Sequence, residues 1–305
     1  MSGPGIEGPQ GHRHEGPELA VIVRTMADAN RADALLRALD TIDNLQSVAA
    51  YPIIVVNGRR YDPDLVDRLR RRDGSVFHYM SRASAGAAVV QGRRLVESEF
   101  FMYLDDDDEL LADGIGPVLV EQAASLDWDL LVLNGERRSA SGGKPWVEQW
   151  AAHTADPLRS LVEENWLSPG NTVFRAATVN SDVLDVDRDH HEWTYIAYRL
   201  MLEGYKVSFH DKSVTRYNDT EDSLSKRDTH DPGETRLLED LRREARLPRD
   251  LRAALEAKYR NHLHVMAERN RFQGRFASAW RYHLRSLKPP FTLRYLPYTR
   301  KLLRF

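Results

Sequence analysis

Between residues 18 and 104, short, mainly apolar runs alternate with segments of helical periodicity, and few folds accept that alternation. The runs are ELAVIVRT (18–25), YPIIVVNG (51–58), SVFHYM (75–80) and FFMYL (100–104). Between the first two, NRADALLRALDTID repeats apolar residues at Ala34, Leu35, Ala38, Leu39 and Ile42, the spacing of a helix face. DPDLVDRLRRR and SAGAAVVQGRRLVES read as two further helices. Strands that are apolar throughout are buried on both faces. The pattern therefore predicts right-handed βαβ units in an α/β fold, with a mostly parallel sheet flanked by helices. In such sheets ligands bind outside the carboxyl ends of the strands. Three of those ends are polar: Arg24-Thr25, Asn57-Gly58 and the aspartate block Asp105 to Asp108.

The chain continues with a strand candidate at 128–140, then GGKPWVEQW, read as a turn into an aromatic segment. SPGNTVFRA (168–176) is a loop entering a short strand. HEWTYIAYRLMLEG (191–204) is a helix with Trp193, Ile196, Ala197 and Leu200 on one face and Gly204 as its left-handed stop, followed by a strand at 205–210. Residues 1–17 are rich in Gly and Pro, hold Ile6 as their only large aliphatic residue, and read as a disordered tail; His12 and His14 lie in it. From about Pro232 the chain becomes helical and charged. The expected organisation is a tail (1–17), an α/β domain (18–231) and a C-terminal helical region (232–305).

Composition removes several classes of function. A net charge of -3 over 305 residues makes no electrostatic case for a nucleic-acid partner. The absence of cysteine excludes disulfides and cysteine metal sites and agrees with a reducing compartment. No apolar run approaches the ~20 residues of a membrane span, and no signal-peptide core is visible, so the expected address is the cytoplasm.

The aspartate block asks for a countercharge, because four adjacent carboxylates repel one another beside a packed strand. In extended backbone, Asp105 and Asp107 point to one side and Asp106 and Asp108 to the other, so one pair can share a ligand. Oxygen-only donors suit Mn2+ or Mg2+, which keep positions open for water and substrate phosphates. The competing reading is that some of these aspartates cap a helix starting near Leu110 while the others are solvated.

YLDDDDEL, closing the fourth strand of a half that opens with VIVRT and IIVVNG, resembles the family 2 glycosyltransferases of the GT-A fold. In that family a DXD-type motif holds a divalent cation on the diphosphate of a sugar nucleotide. NTVFRA, HEWTYIAYRLMLEGYKVSF and YNDTEDSLS follow in the family's order, and the resemblance covers about residues 18 to 228. It implies that Asp105 and Asp107 frame the DXD as metal ligands, with Asp106 contacting the ribose or base, and that Thr25 and Asn57 stand where the base binds. The family's Ala-Arg-Asn is missing from the helix GAAVVQG, leaving Arg82, Arg93 or Arg94 as substitutes. The histidine often found after the last tyrosine is Thr220 here, with His210 and Asp219 as stand-ins for a third metal ligand.

By the same resemblance, transfer is inverting, of hexosyltransferase type, by single displacement from a nucleoside-diphosphate sugar to a sugar, lipid-linked or small-molecule acceptor. The family's Glu-Asp pair aligns with Glu192 and Trp193, so the usual base position is a tryptophan. Glu192 is the first candidate for the base and Asp189 the second. Asp189 and Glu192 also have the spacing of a capping box, which needs no chemistry. Lys226 and Arg227, past SLS, could close over the phosphates. Two other functions stay open. A sugar-nucleotide-forming nucleotidyltransferase would show a Gly-rich basic loop after the first strand, which VRTMADAN does not. A non-catalytic sugar-nucleotide-binding protein of the same fold is kept in view by Trp193.

After Glu268 no acidic residue occurs, while Arg and Lys continue to Arg304 among Trp280, Tyr282, Phe291, Tyr295 and Tyr298. Such a segment can lie on the anionic inner face of a membrane, pack on the α/β domain or form a homodimer contact. Pro289 and Pro290 interrupt any long amphipathic helix there.

Overall fold

The computed structural model describes residues 16–139, 142–186, 188, 190–218, 230–288 and 293–303. The tail with His12 and His14, and Asp189, Asp219, Thr220, Lys226, Arg227, Pro289 and Pro290, lie outside the described residues. The chain forms two compact units, Met1–Glu221 and Asp222–Phe305.

The first unit starts with β1 (Glu18–Thr25), α1 (Ala32–Asp43), β2 (Ala49–Asn57), α2 (Pro63–Arg70), β3 (Val76–Met80), α3 (Ala85–Arg94) and β4 (Phe100–Asp105). These are the strands and helices expected from the alternation. It continues through β5 (Glu109–Leu110), α4 (Ile115–Ala123), β6 (Leu130–Ser139), β7 (Gly142–Pro145), α5 (Trp150–Ala155), α6 (Pro157–Ser160), β8 (Thr172–Arg175), α7 (Ser181–Leu184), α8 (Glu192–Glu203) and β9 (Val207–Asn218).

The strands make one sheet in the order β3-β2-β1-β4-β8-β6-β9-β5, with β7 pairing β6. The first four strands are parallel; β8 then runs antiparallel to both β4 and β6, and β6 pairs β9 in parallel. Direction thus mixes only in the second half. Alternate residues of β1, β2 and β4, among them Leu19, Val21, Val23, Ile54, Val56, Phe100, Met102 and Leu104, join Leu35, Leu39 and Ile42 of α1 in one core. The opposite face packs on α3 and α8. Tyr103 donates to the Val89 carbonyl at 2.9 Å and lies 5.0 Å from the Trp193 ring. Gly92 lets α3 sit flush, since a Cβ there would collide with Cγ2 of Ile22. Both faces are covered, which is why these strands are apolar on both faces up to their polar carboxyl ends.

Two local expectations change. GGKP is a strand, β7, rather than a plain turn. Residues 109–110 are a strand pairing β9, and the next helix begins only at Ile115, so no helix near Leu110 exists for the aspartates to cap.

The second unit is helical: α9 (His230–Arg243), α10 (Arg249–Phe272), α11 (Phe276–Ser286), a 3-10 turn (Leu293–Tyr298) and α12 (Thr299–Leu303). Leu251, Leu255, Tyr259 and Leu263 repeat every fourth residue on the buried side of α10. Ala267 and Ala279 close over Tyr298 and Leu302. No helix among the described residues is long and apolar enough to cross a membrane.

Candidate active site

Strand order fixes where the site lies. β2 and β3 add on one side of β1 and β4 on the other, so the chain's direction of winding reverses between β1 and β4, and a crevice opens at their carboxyl ends. Arg24 and Asp105 are Cα partners in that pairing, the last in register. Arg24 shares the face of Ile22, which looks toward α3 and α8, and its guanidinium bonds Asp105 at 3.1 Å. The same guanidinium reaches the Glu192 carboxylate at 3.7 Å and stands 5.6 Å from the Trp193 ring centre. The Arg24 side chain is only 10% exposed. Burial opposes its charge, but the attraction of Asp105 and Glu192 outweighs it and raises the guanidinium above its ordinary value. Among the described residues its Nε and Nη1 have no hydrogen-bond partner.

A second arginine comes from the loop after β1. Thr25 Oγ1 accepts from the Ala27 amide and donates to Asp106 at 2.6 Å, and Ala27 takes the left-handed conformation at φ 50°. Asp28 then caps the single turn Ala29–Arg31 by accepting from the Asn30 amide. This brings Arg31 over the acidic block, 2.7 Å from carboxylate oxygens of both Asp106 and Asp107. Asn57 at the end of β2 donates to the Thr25 carbonyl at 3.1 Å.

The aspartates do not continue as a strand. Asp108 N–H bonds the Asp105 carbonyl at 3.1 Å, closing a turn, so Asp106 and Asp107 converge on Arg31 instead of diverging as extended backbone requires. Burial still alternates: Asp106 and Asp108 are buried, Asp105 and Asp107 partly exposed. Burial lifts Asp106 to about 6, opposed by Arg31 and the Thr25 hydroxyl. It lifts Asp108 to about 8, with repulsion from Asp105 adding and the Asn218 amide opposing. Asn218, the last residue of β9, donates its amide to Asp108 and its side chain to the Asp107 carbonyl.

Glu192 is not part of a capping box. The N-cap of α8 is His191, in the left-handed region at φ 59° with no side-chain cap bond, which makes Glu192 the first helical residue rather than the third. Its carboxylate points to Arg24. Two suggested substitutes are elsewhere: Arg93 stacks on Phe101 and donates to the carbonyls of Ala176 and Val179, and Arg94 is exposed at the far end of α3. Arg82 is exposed on the β3–α3 connection. His210 lies eight residues before Asn218 on β9, roughly 25 Å along a strand, too far to complete a ligand set at Asp107.

The site therefore gathers Thr25, Asn57, Asp105, Asp106, Asp107 and Glu192 of the sequence-predicted residues. It adds Arg24, Arg31, Asp108 and Asn218. The signal for the arginines was the aspartate block itself, whose countercharge comes partly from the same chain. Among the described residues no group of three or more His, Asp or Glu is disposed to hold a metal. Asp105 and Asp107 alone, oxygen donors and the less buried pair, fit a hard divalent ion that takes its other ligands from water and substrate.

No family model matches the sequence, and no curated protein matches it. Solved structures do match in fold, and that fold is of GT-A type, an α/β sheet flanked by helices with its crevice at the ends of β1 and β4. One neighbour is TarS of S. aureus, residues 1–349 in complex with UDP-GlcNAc, at TM-score 0.58 and 16% identity over 81% of this chain and 72% of that one. The same TarS fragment without a named ligand gives 0.52 at 15% identity, over 85% and 74% of the two chains. Its complex with UDP gives 0.50 at 15% identity, over 85% and 75%.

Proposed function

We propose that the protein is a glycosyltransferase that moves a sugar from a nucleoside-diphosphate sugar to an acceptor hydroxyl. The observation that carries this reading is the cluster in which one buried guanidinium, Arg24, joins the acidic end of β4 to a carboxylate at the start of α8. The fold it shares with TarS, which binds UDP-GlcNAc and UDP, supports a nucleotide-sugar donor.

Asp105 and Asp107 would hold Mn2+ or Mg2+, which when bound supplies positive charge to the departing diphosphate. Thr25 and Asn57 edge the crevice where the nucleotide base would lie. Arg31 can exchange its contacts with Asp106 and Asp107 for phosphate oxygens, keeping a cation on the leaving group. Glu192 takes the proton of the acceptor hydroxyl as that oxygen attacks the anomeric carbon, and attack from the face opposite the nucleotide inverts the configuration. Arg24 holds the Glu192 carboxylate, and Trp193, standing where an aspartate base is usual, packs against Arg24 and Tyr103. Hexosyl transfer and a sugar or lipid-linked acceptor belong to this reading.

Thermal stability against a panel of nucleoside diphosphates, with and without Mn2+, tests the donor site. A shift needing both metal and one nucleotide, and lost in Asp107→Ala, is expected; no shift with any nucleotide removes the reading. Glu192→Gln should keep that shift and lose roughly 10²–10⁴-fold in transfer rate. A wild type that shows the shift but no turnover would favour the non-catalytic binding protein, which the tryptophan at position 193 keeps as the second reading.

A further inference from the structure

In the helical unit, apolar side chains that could have turned inward stand in solvent. Phe272 is 80% exposed, Leu293 74%, Leu303 68% and Phe276 41%, whereas the sheet unit exposes only Met26, Val120 and Leu126 among its large described apolar residues. Val265 and Leu284 are exposed along α10 and α11, but the others gather at one end. Phe272 ends α10 and Phe276 starts α11, on either side of Gly274. Arg271 donates to the Lys301 carbonyl at 3.2 Å, which ties α12 to the same end of the helical pair. There the chain sorts its residues: Tyr295, Tyr298 and Leu302 turn inward, the two tyrosines against His264, while Leu293, Leu296 and Leu303 turn out.

The surround is cationic. Arg269, Arg271, Arg275, Arg294, Arg300 and Lys301 accompany these residues, and Glu268, whose charge His264 feels, is the last acidic residue of the sequence. A second copy of this end would bring like charges together. A nucleic acid would neutralise the arginines but leave the leucines and phenylalanines in water. A bilayer with anionic headgroups satisfies both sets, because apolar tips enter the acyl boundary while basic side chains stay at phosphate level.

We propose that this end of the helical unit, built from the α10–α11 turn, the 3-10 turn and α12, is a peripheral docking surface for an anionic membrane. The proposal does not rest on the proposed catalysis, since it uses no residue of the β1–β4 crevice.

The test is co-sedimentation of the full chain with vesicles of phosphatidylcholine alone and of phosphatidylcholine with phosphatidylglycerol. Binding to the mixed vesicles and not the neutral ones is expected, weakening between about 0.1 M and about 1 M salt as the screening length falls from ~10 to ~3 Å. Phe272→Ser with Phe276→Ser, and separately Arg275→Glu with Arg300→Glu, should each weaken binding about tenfold or more. All four side chains are exposed, so unchanged melting curves certify the variants. No binding to mixed vesicles, or binding that neither pair alters, overturns the proposal. So does a doubling of mass in sedimentation velocity that the phenylalanine pair reverses while vesicles go unbound, which would assign the surface to a second copy.

Discussion

The two units use charge and apolar surface in opposite ways. In the sheet unit apolar side chains are inside, and the carboxylates that are costly to bury are collected at one strand end, where Arg24, Arg31, Thr25 and Asn218 compensate them. In the helical unit the buried charges are paired in fixed networks, as where Arg260 holds Glu256 and the carbonyls of Ser286 and Lys288, while apolar residues and cations face out together. A cluster of adjacent, partly buried carboxylates that repel one another has a use for a small cationic ligand. An exposed apolar and basic end has a use for a large anionic surface. What each unit leaves unsatisfied is the best guide to what it meets.

That contrast can be broken first in the core. Phe101 stacks on Phe174 with ring centres 5.0 Å apart and is fully buried, so Phe101→Ala should cost about 3–5 kcal/mol in chemical denaturation. A loss below about 1 kcal/mol would mean that the sheet core is far looser than its burial implies.

The acidic block offers a pH test. An aspartate ionises near pH 4 in the unfolded chain, whereas folded Asp108 is lifted to about 8 by burial. The folded state therefore resists the charge. The stability that Asp108 contributes is fullest below about pH 4 and is lost as the pH rises toward 8. Asp108→Asn keeps an oxygen for the Asn218 amide and removes that loss, so in metal-free buffer it should stabilise by about 1–3 kcal/mol at pH 8 and by nothing near pH 4. Equal melting curves for the two proteins at pH 8 would show that Asp108 carries no such burden.

Arg24→Lys keeps the charge but not the fork that spans Asp105 and Glu192. Transfer should fall about tenfold while Mn2+-dependent nucleotide binding persists. An unchanged rate would reduce Arg24 to a structural ion pair.

The smallest effect belongs to the helical unit. Phe272→Ser should leave stability within about 0.5 kcal/mol, since that ring is 80% exposed. A large loss there would place Phe272 in a core and erase the contrast between the units.

Much of the sheet was legible because burial on both faces leaves a local signature: apolar runs at β1, β2 and β4, β-branched in the first two, and helical spacing at α1. Polar residues at three strand ends located the crevice without coordinates. β7 and β5 were not legible. The glycines of GGKP and the two residues of β5 carry no strand signal of their own and pair only because β6 and β9 arrive beside them. The same limit applied at α8, where spacing suggested a capping box and a left-handed His191 moved the helix start to Glu192.

The sequence by itself determined the alternation of elements, the acidic strand end and the basic, acid-free C-terminal segment, since each is written in contiguous residues. Only the tertiary structure decided which charges meet. Arg24 opposes Asp105 because β1 and β4 pair in that register, it finds Glu192 because its face of β1 looks toward α8, and Arg31 bridges two aspartates because a turn brings them together. Those contacts join residues up to 168 positions apart in the chain, from Arg24 to Glu192, and sequence spacing holds no record of such distances; strand register and helix placement do.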